Sequence, residues 1–290
     1  MERKEETSPV GSIAPLIINA DHEGLHLLNQ VRIHKITFMD SSAFLEPQEI
    51  SVKTYTFFNG IEPDRLEHLK SLLSSEEISR CKQITHTPTR TTFILSRYLL
   101  RTQLAMLTGW PPEAIRYNYN PCGKPSLKPT TASPENPDRI HFNLSHSGKA
   151  IALAFSKTCA VGVDIQLHNT KKALRNLASR YFSSQEQKKL FGISDPSQFV
   201  QFFYTAWTQK EAYIKAIGTG LRTPLNSFSI EPDNISPFSP FLHDSTSASG
   251  SEYTVQSIRE VPSDYALAIC WKGRSQTIKT SVIAAETVLS

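Results

Sequence analysis

Two stretches of this chain resemble each other at a fixed offset, and that repeat narrows the possible folds more than any other feature. "SSEEISRCKQI" begins at Ser74 and "SSQEQKKLFGI" at Ser183. Carried on without a gap, the offset of 109 pairs Phe93 with Phe202, Tyr98 with Trp207, Arg101 with Lys210 and Gly109 with Gly218. Six of thirty-six positions are identical, and "IALAFS" (151–156) is echoed by "YALAIC" (265–270). Two readings stand open. Similar helices look alike, or an ancient duplication has produced two similar halves packed about a pseudo-twofold axis, as related subunits do. A cleft between such halves is a favoured ligand site.

Each half reads as a short helix opened by a Ser-Ser-acidic cap, then a longer helix ending at glycine, then strands. In the first half the strands fall at 139–144, 149–156 and 160–166, joined by the tight turns "SHSG" and "SKTC". Connections this short exclude parallel crossovers. The expected fold is therefore α/β (α+β): a pseudo-twofold duplication of two similar α/β halves with antiparallel sheets. The division is an N-terminal extension (1–50, with one short strand around 31–38), a first half (51–162) and a second half (163–290). "KPTTASPENPD" (128–138) and "PDNISPFSPFLHDSTSASGS" (232–251) read as loops.

At 39% apolar and 20% charged residues, the 290-residue chain suits a globular protein with a substantial core. A net charge of +4 is too small to argue for nucleic acid and is compatible with phosphate-bearing ligands or an acidic protein partner. Cys81, Cys122, Cys159 and Cys270 are scattered, with no CxxC pair, and read as reduced thiols. "MERKEETSPV" lacks a signal peptide's apolar stretch, and no apolar run reaches the ~18–20 residues that span a bilayer. The expected location is cytoplasmic, with no membrane association.

Chemistry concentrates in two segments. In "AVGVDIQ", Val161, Val163 and Ile165 alternate with Gly162, Asp164 and Gln166. Asp164 and Gln166 then project from one face about 7 Å apart, an oxygen-lined patch that suits Mg²⁺ as well as it suits water. In "WTQKEAYIKAIGTGL" (207–221), Phe203, Trp207, Ile214 and Ile217 form an apolar stripe with Lys210 in its middle. A lysine there must snorkel or find an anion; since its counterpart Arg101 is also cationic, a structural tie is one reading. Glu211 stands at the stripe's edge, four residues before Lys215. That pair is a surface salt bridge or a functional one. "FNLSHSG" (142–148) puts Ser145 and His146 at a strand end, as phosphate donors or as an unliganded turn. A hydrolase is disfavoured, because adjacent strand residues point apart and no GxSxG elbow exists.

Taken together, "GKP" (123–125), "FNLSHSG", "VGVDIQ" (161–166) and "WTQKEAYIKAIGTGL" resemble, in order and spacing, the Sfp-type 4′-phosphopantetheinyl transferases. The resemblance covers about residues 52–275. It implies the family's pseudo-dimeric fold and transfer of the phosphopantetheine arm of coenzyme A to a serine of an apo acyl or peptidyl carrier protein. Adenosine 3′,5′-bisphosphate is the other product. It further implies that Asp164 and Glu211 hold Mg²⁺ (or Mn²⁺), and that Lys215 meets the diphosphate. Lys124, Pro125, Ser145 and His146 would serve the nucleotide end, with Arg80 and Arg90 at the 3′-phosphate. Gln166 stands where the family more often has glutamate and is expected to alter metal preference. Glu77 stands where some relatives place lysine. The chain would act as a monomer, with both halves supplying one site. The alternatives are a non-catalytic coenzyme A or carrier-binding module and another Mg²⁺-dependent phosphoryl or nucleotidyl transferase. No Walker loop or kinase motif set supports the last.

Overall fold

In each half an opening strand is followed by three helices, a short two-stranded ribbon and a closing strand pair, and this order occurs twice. The computed structural model describes residues 45–46, 48–57, 61–129, 140–170, 173–231, 241–242, 252–273 and 276–284. First come β1 (Glu49–Thr56), α1 (Pro63–Lys70), α2 (Ser75–Gln83), α3 (Thr87–Thr108), β2 (Tyr117–Tyr119), β3 (Pro125–Leu127), β4 (His141–Ser147) and β5 (Ala150–Ser156). The second set is β6 (Val161–Leu167), α4 (Leu174–Tyr181), α5 (Ser184–Phe191), α6 (Pro196–Ile217), β7 (Phe228–Ser229), β8 (Phe241–Leu242), β9 (Tyr253–Ile258) and β10 (Tyr265–Lys272). β11 (Thr277–Ala284) follows. The extension before residue 45, with its expected strand, lies outside the described residues, as does most of the two proline-rich stretches.

The sheets run β11-β1-β5-β4 and β6-β10-β9. All their pairings are antiparallel except β1 with β11, which is parallel. The turn "SKTC" exists, but it does not make a hairpin. Both edges of β5 are already paired, with β1 and β4, so the chain leaves for the second sheet at β6. The division at 162/163 suggested by the sequence falls inside β6.

Alternation on the strands builds four layers. Ala150, Ala152 and Ala154 of β5 pack with Val161, Val163 and Ile165 of β6 and Leu267, Ile269 and Trp271 of β10 between the sheets. The opposite faces carry the helices. Ile151, Leu153 and Phe155 pack with Ile94, Leu95 and Leu99 of α3, while Ala266, Ala268 and Cys270 pack with Ala212 and Ala216 of α6. A seam closes the sheets edge to edge. The amides of Val163, Ile165 and Leu167 donate to Asn143 Oδ1 (2.9 Å), Ser145 Oγ (3.4 Å) and Ser147 Oγ (3.0 Å) of β4. Side chains thus satisfy an edge that would otherwise need another strand.

The duplicated helices share their caps and their buried cations. Ser74 and Ser183 each open a capping box with Glu77 and Glu186. α3 and α6 each end on a glycine in the left-handed region, Gly109 (φ 72°) and Gly218 (φ 73°). Lys210, fully buried, donates to Leu225 O (2.8 Å) and Phe228 O (2.6 Å) and lies 2.7 Å from Glu186 Oε1. Arg101, equally buried, donates from Nε to Glu77 Oε2 (2.7 Å) and from Nη1 to Pro112 O (2.8 Å) and Ile115 O (3.1 Å). Each half therefore ties its long helix to a cap glutamate and to two carbonyls of the following turn. Lys210 is a structural cation. Glu77 is spoken for as well, which accounts for an acid at a position where lysine could not serve Arg101. Among the described residues no helix is long and apolar enough to cross a membrane.

Candidate active site

α6 can approach β6 closely only because residue 162 is glycine. A Cβ there would stand 2.2 Å from Ala212 O and 2.3 Å from Ala216 N, well inside contact distance. The space beside Gly162 is filled by helix backbone. On the same strand face, two residues on, Asp164 meets the helix. Every fourth residue of α6 forms a ridge here: Phe203, Trp207, Glu211 and Lys215 all line one cleft.

This cleft, of about 460 Å³, is lined also by Leu144, Ser145 and His146 of β4, Asp164 and Gln166 of β6, Leu177 of α4 and Tyr204 of α6. Its polar centre is Asp164, only 2% exposed. Lys215 Nζ donates to Asp164 Oδ1 (2.6 Å), Ser145 Oγ (2.9 Å) and Val163 O (3.2 Å). Ser145 Oγ donates to Asp164 Oδ1 (2.8 Å) and Gln166 Nε2 to Asp164 Oδ2 (3.2 Å). Lys215 thus bonds across to Asp164 rather than along the helix to Glu211. Burial and, after it, the Asp164 charge push Glu211 up to about 7, against the pull of Lys215. Burial, then Lys215 and Arg97, hold the His146 imidazole below its ordinary value, so it is neutral at neutral pH.

Of the residues marked in the sequence, Asp164, Gln166, Glu211, Lys215, Ser145 and His146 come together in this cleft. Lys124, Pro125, Arg80 and Arg90 are not in its lining. Pro125 begins β3, opposite Tyr119. Arg80 is exposed with its guanidinium 5.8 Å from the Phe93 ring centre, and Arg90 lies in the first turns of α3. Lys124 donates to Val161 O (3.0 Å) and Ala216 O (2.7 Å). Sequence reading missed Leu144, Leu177 and Tyr204 on the apolar side of the cleft, and it did not foresee that Phe203 and Trp207 of the stripe line the cleft while packing on the core. The four-residue spacing from Phe203 to Lys215 was the available signal. It also missed Arg97, whose guanidinium stands 5.2 Å from the Phe93 ring centre and bears on His146.

The donor set fits a divalent cation. The carboxylates of Asp164 and Glu211 line one cleft with the Gln166 amide, and burial, followed by the Asp164 charge, raises Glu211 against the pull of Lys215. Mg²⁺ typically takes one or two carboxylates and completes its shell with water and phosphate. Among the described residues, no group of three or more His, Cys, Asp and Glu side chains is arranged to hold a metal.

Residues 160–270 match the family described as the 4′-phosphopantetheinyl transferase superfamily, and residues 62–158 match "4′-phosphopantetheinyl transferase, N-terminal". The chain is 31% identical over 204 residues to the 4′-phosphopantetheinyl transferase Sfp of Bacillus subtilis strain 168, covering 70% of this chain and 84% of that one. It is 29% identical over 182 residues to the L-aminoadipate-semialdehyde dehydrogenase-phosphopantetheinyl transferase of Pongo abelii, covering 60% and 58%.

Proposed function

Since the chain belongs to the 4′-phosphopantetheinyl transferase superfamily, we propose that the cleft between β6 and α6 is its active site. There the enzyme transfers the 4′-phosphopantetheine arm of coenzyme A to a serine of an apo acyl or peptidyl carrier protein. The observation that carries this placement is the meeting of Asp164, Glu211 and Lys215 from two elements in one partly enclosed cleft.

In the reaction the carrier serine oxygen bonds to the phosphorus nearest the pantetheine. The bond from that phosphorus to the bridging oxygen breaks, and adenosine 3′,5′-bisphosphate leaves with the electron pair. Asp164 and Glu211, with Gln166 beside them, would hold Mg²⁺ or Mn²⁺. Such an ion supplies charge neutralisation to the diphosphate in the transition state. Lys215 is placed to exchange its Asp164 contact for a diphosphate oxygen and to neutralise the leaving group. Glu211, in the carboxylate form that a bound cation would favour, or a water on that cation, would accept the serine proton. His146 stays neutral and can donate one hydrogen bond to a phosphate oxygen without adding charge. The leucines and aromatic rings give the cleft an apolar wall opposite the reacting groups.

Both walls of the cleft come from one chain, so this reading needs no second copy and describes a monomer. Coenzyme A as co-substrate and reduced thiols suit a cytoplasmic location. The test is to incubate the purified chain with coenzyme A, Mg²⁺ and a panel of apo carriers, and to weigh the carriers. Gain of one phosphopantetheine by at least one carrier, abolished by changing its serine to alanine, is expected. No gain on any carrier, with coenzyme A still bound, favours the non-catalytic binding module.

A further inference from the structure

The repeat is faithful in its caps and buried cations, yet it fails at one place. Around the glycine that ends α3, a Cβ at Gly109 would meet nothing within 4 Å. Around Gly218, which ends α6, the same atom would lie 3.1 Å from both Asn120 Nδ2 and Lys124 Cδ. Among the described residues, the helix that bears Glu211 and Lys215 has its end gripped by a turn from the other half, and α3 does not.

The grip is built from hydrogen bonds that span nearly 100 residues of sequence. Asn120 Nδ2 donates to Gly218 O (2.7 Å), while Asn120 Oδ1 accepts from the amides of Cys122 and Lys124 and so folds its own turn. Lys124 Nζ donates to Ala216 O, a carbonyl of the last turn that has no partner within an α-helix. A cation there is also favoured by the helix dipole. The same ammonium donates to Val161 O at the start of β6. It therefore bridges the strand that carries Asp164 to the helix that carries Glu211, on one side of the Gly162 contact. Lys215, on Val163 O and Asp164, does so on the other.

We propose that the Asn120–Lys124 turn is a positioning device for the transfer reaction, with Lys124 stapling α6 to β6 so that Glu211 and Lys215 keep their places against Asp164. This rests on the active site assigned above. It also assigns the lysine of "GKP" a task that acts through the helix, and not the contact with the nucleotide that the family resemblance implies for it. Burial draws Lys124 down to about 8. A side chain held there at such a cost in hydration has a use for its position.

Lys124→Met removes the ammonium and keeps the apolar stem. A positioning role predicts that kcat falls between about ten- and a hundredfold, the penalty of shifts up to roughly 1 Å, with the KM for coenzyme A unchanged within error. The same loss should appear with dephospho-coenzyme A as substrate. Amide exchange at residues 214–218 should quicken, and Lys124→Arg, which keeps a donor for both carbonyls, should restore most of kcat. Asn120→Ala gives a second reading of the same grip, should Lys124→Met fail to fold. A raised KM with unchanged kcat, or exchange at 214–218 equal to wild type, overturns the proposal. Were the wild type inactive on every carrier, the functional reading would fall, while the exchange comparison would still decide whether the turn holds the helix.

Discussion

Gly162 of β6 lies directly against Ala212 of α6, so close that an added methyl would stand 2.2 Å from the Ala212 carbonyl oxygen. Backbone against backbone leaves nothing that can yield cheaply. Gly162→Ala must push α6 away from β6, and with it Glu211 and Lys215 away from Asp164. The expected outcome is a loss of transfer of at least tenfold, by the sensitivity of reacting groups to misplacement, together with a lowered melting temperature. An active, equally stable Gly162→Ala protein would show that the close approach does not hold the site.

The two buried cations predict matching stability losses. Lys210→Met leaves Glu186 buried without its cation, and Arg101→Met leaves Glu77 with Arg97 alone, 4.0 Å from its other oxygen. Breaking such a pair by removing one partner costs about 3–5 kcal/mol. Denaturant unfolding of both variants should show losses of comparable size. Losses below about 1 kcal/mol, the worth of an exposed pair, would contradict the scaffold role.

Glu211 predicts a pH dependence in metal-free protein. Its folded value of about 7 stands above the ordinary 4.5, so between those values the folded chain binds the extra proton and the unfolded chain does not. Stability from this group is full below the lower value and is lost as pH rises through about 7. With chelator present, wild type should lose stability relative to Glu211→Gln from pH 5 to pH 8, as read by urea unfolding. Mg²⁺ should shrink the difference at the upper end, since a bound cation favours the carboxylate. Parallel profiles for the two proteins would contradict the burial of this carboxylate beside Asp164.

Much of this was legible in the sequence because its causes are local. A serine followed three residues later by glutamate opens a helix wherever it occurs, and a glycine closes one, so the repeated helices could be read from single positions such as Ser183 and Gly218. The odd lysine in the stripe of α6 likewise announced an unseen anion, though not that the anion was the cap glutamate of α5. What could not be read depends on partners distant in the chain. Nothing in "SKTC" says that both edges of β5 are taken, or that β11 returns to lie beside β1. The aim of Lys124 is set by Ala216 and Val161, and the exposure of Trp207 to the cleft by where Gly162 seats the helix.

Gln166 predicts a metal preference. Its amide nitrogen faces Asp164 and neutralises nothing, whereas a glutamate would add a third negative charge beside Asp164 and Glu211. Gln166→Glu should tighten Mn²⁺ binding, measured by electron paramagnetic resonance without coenzyme A, and lower the Mg²⁺ concentration for half-maximal transfer. Identical metal titrations would show that residue 166 stands outside the coordination shell.

The most direct measurement is phosphopantetheine transfer by Glu211→Ala beside its melting temperature, with Asp164→Ala as companion. A cation held jointly by strand and helix, gripping the diphosphate, predicts that either change lowers transfer by at least about a hundredfold, the scale on which losing one charge-stabilising group acts. Glu211→Ala should still melt at or above the wild-type temperature, since it removes a buried unpaired acid. Transfer at near wild-type rate by Glu211→Ala, with its fold intact, would contradict the account.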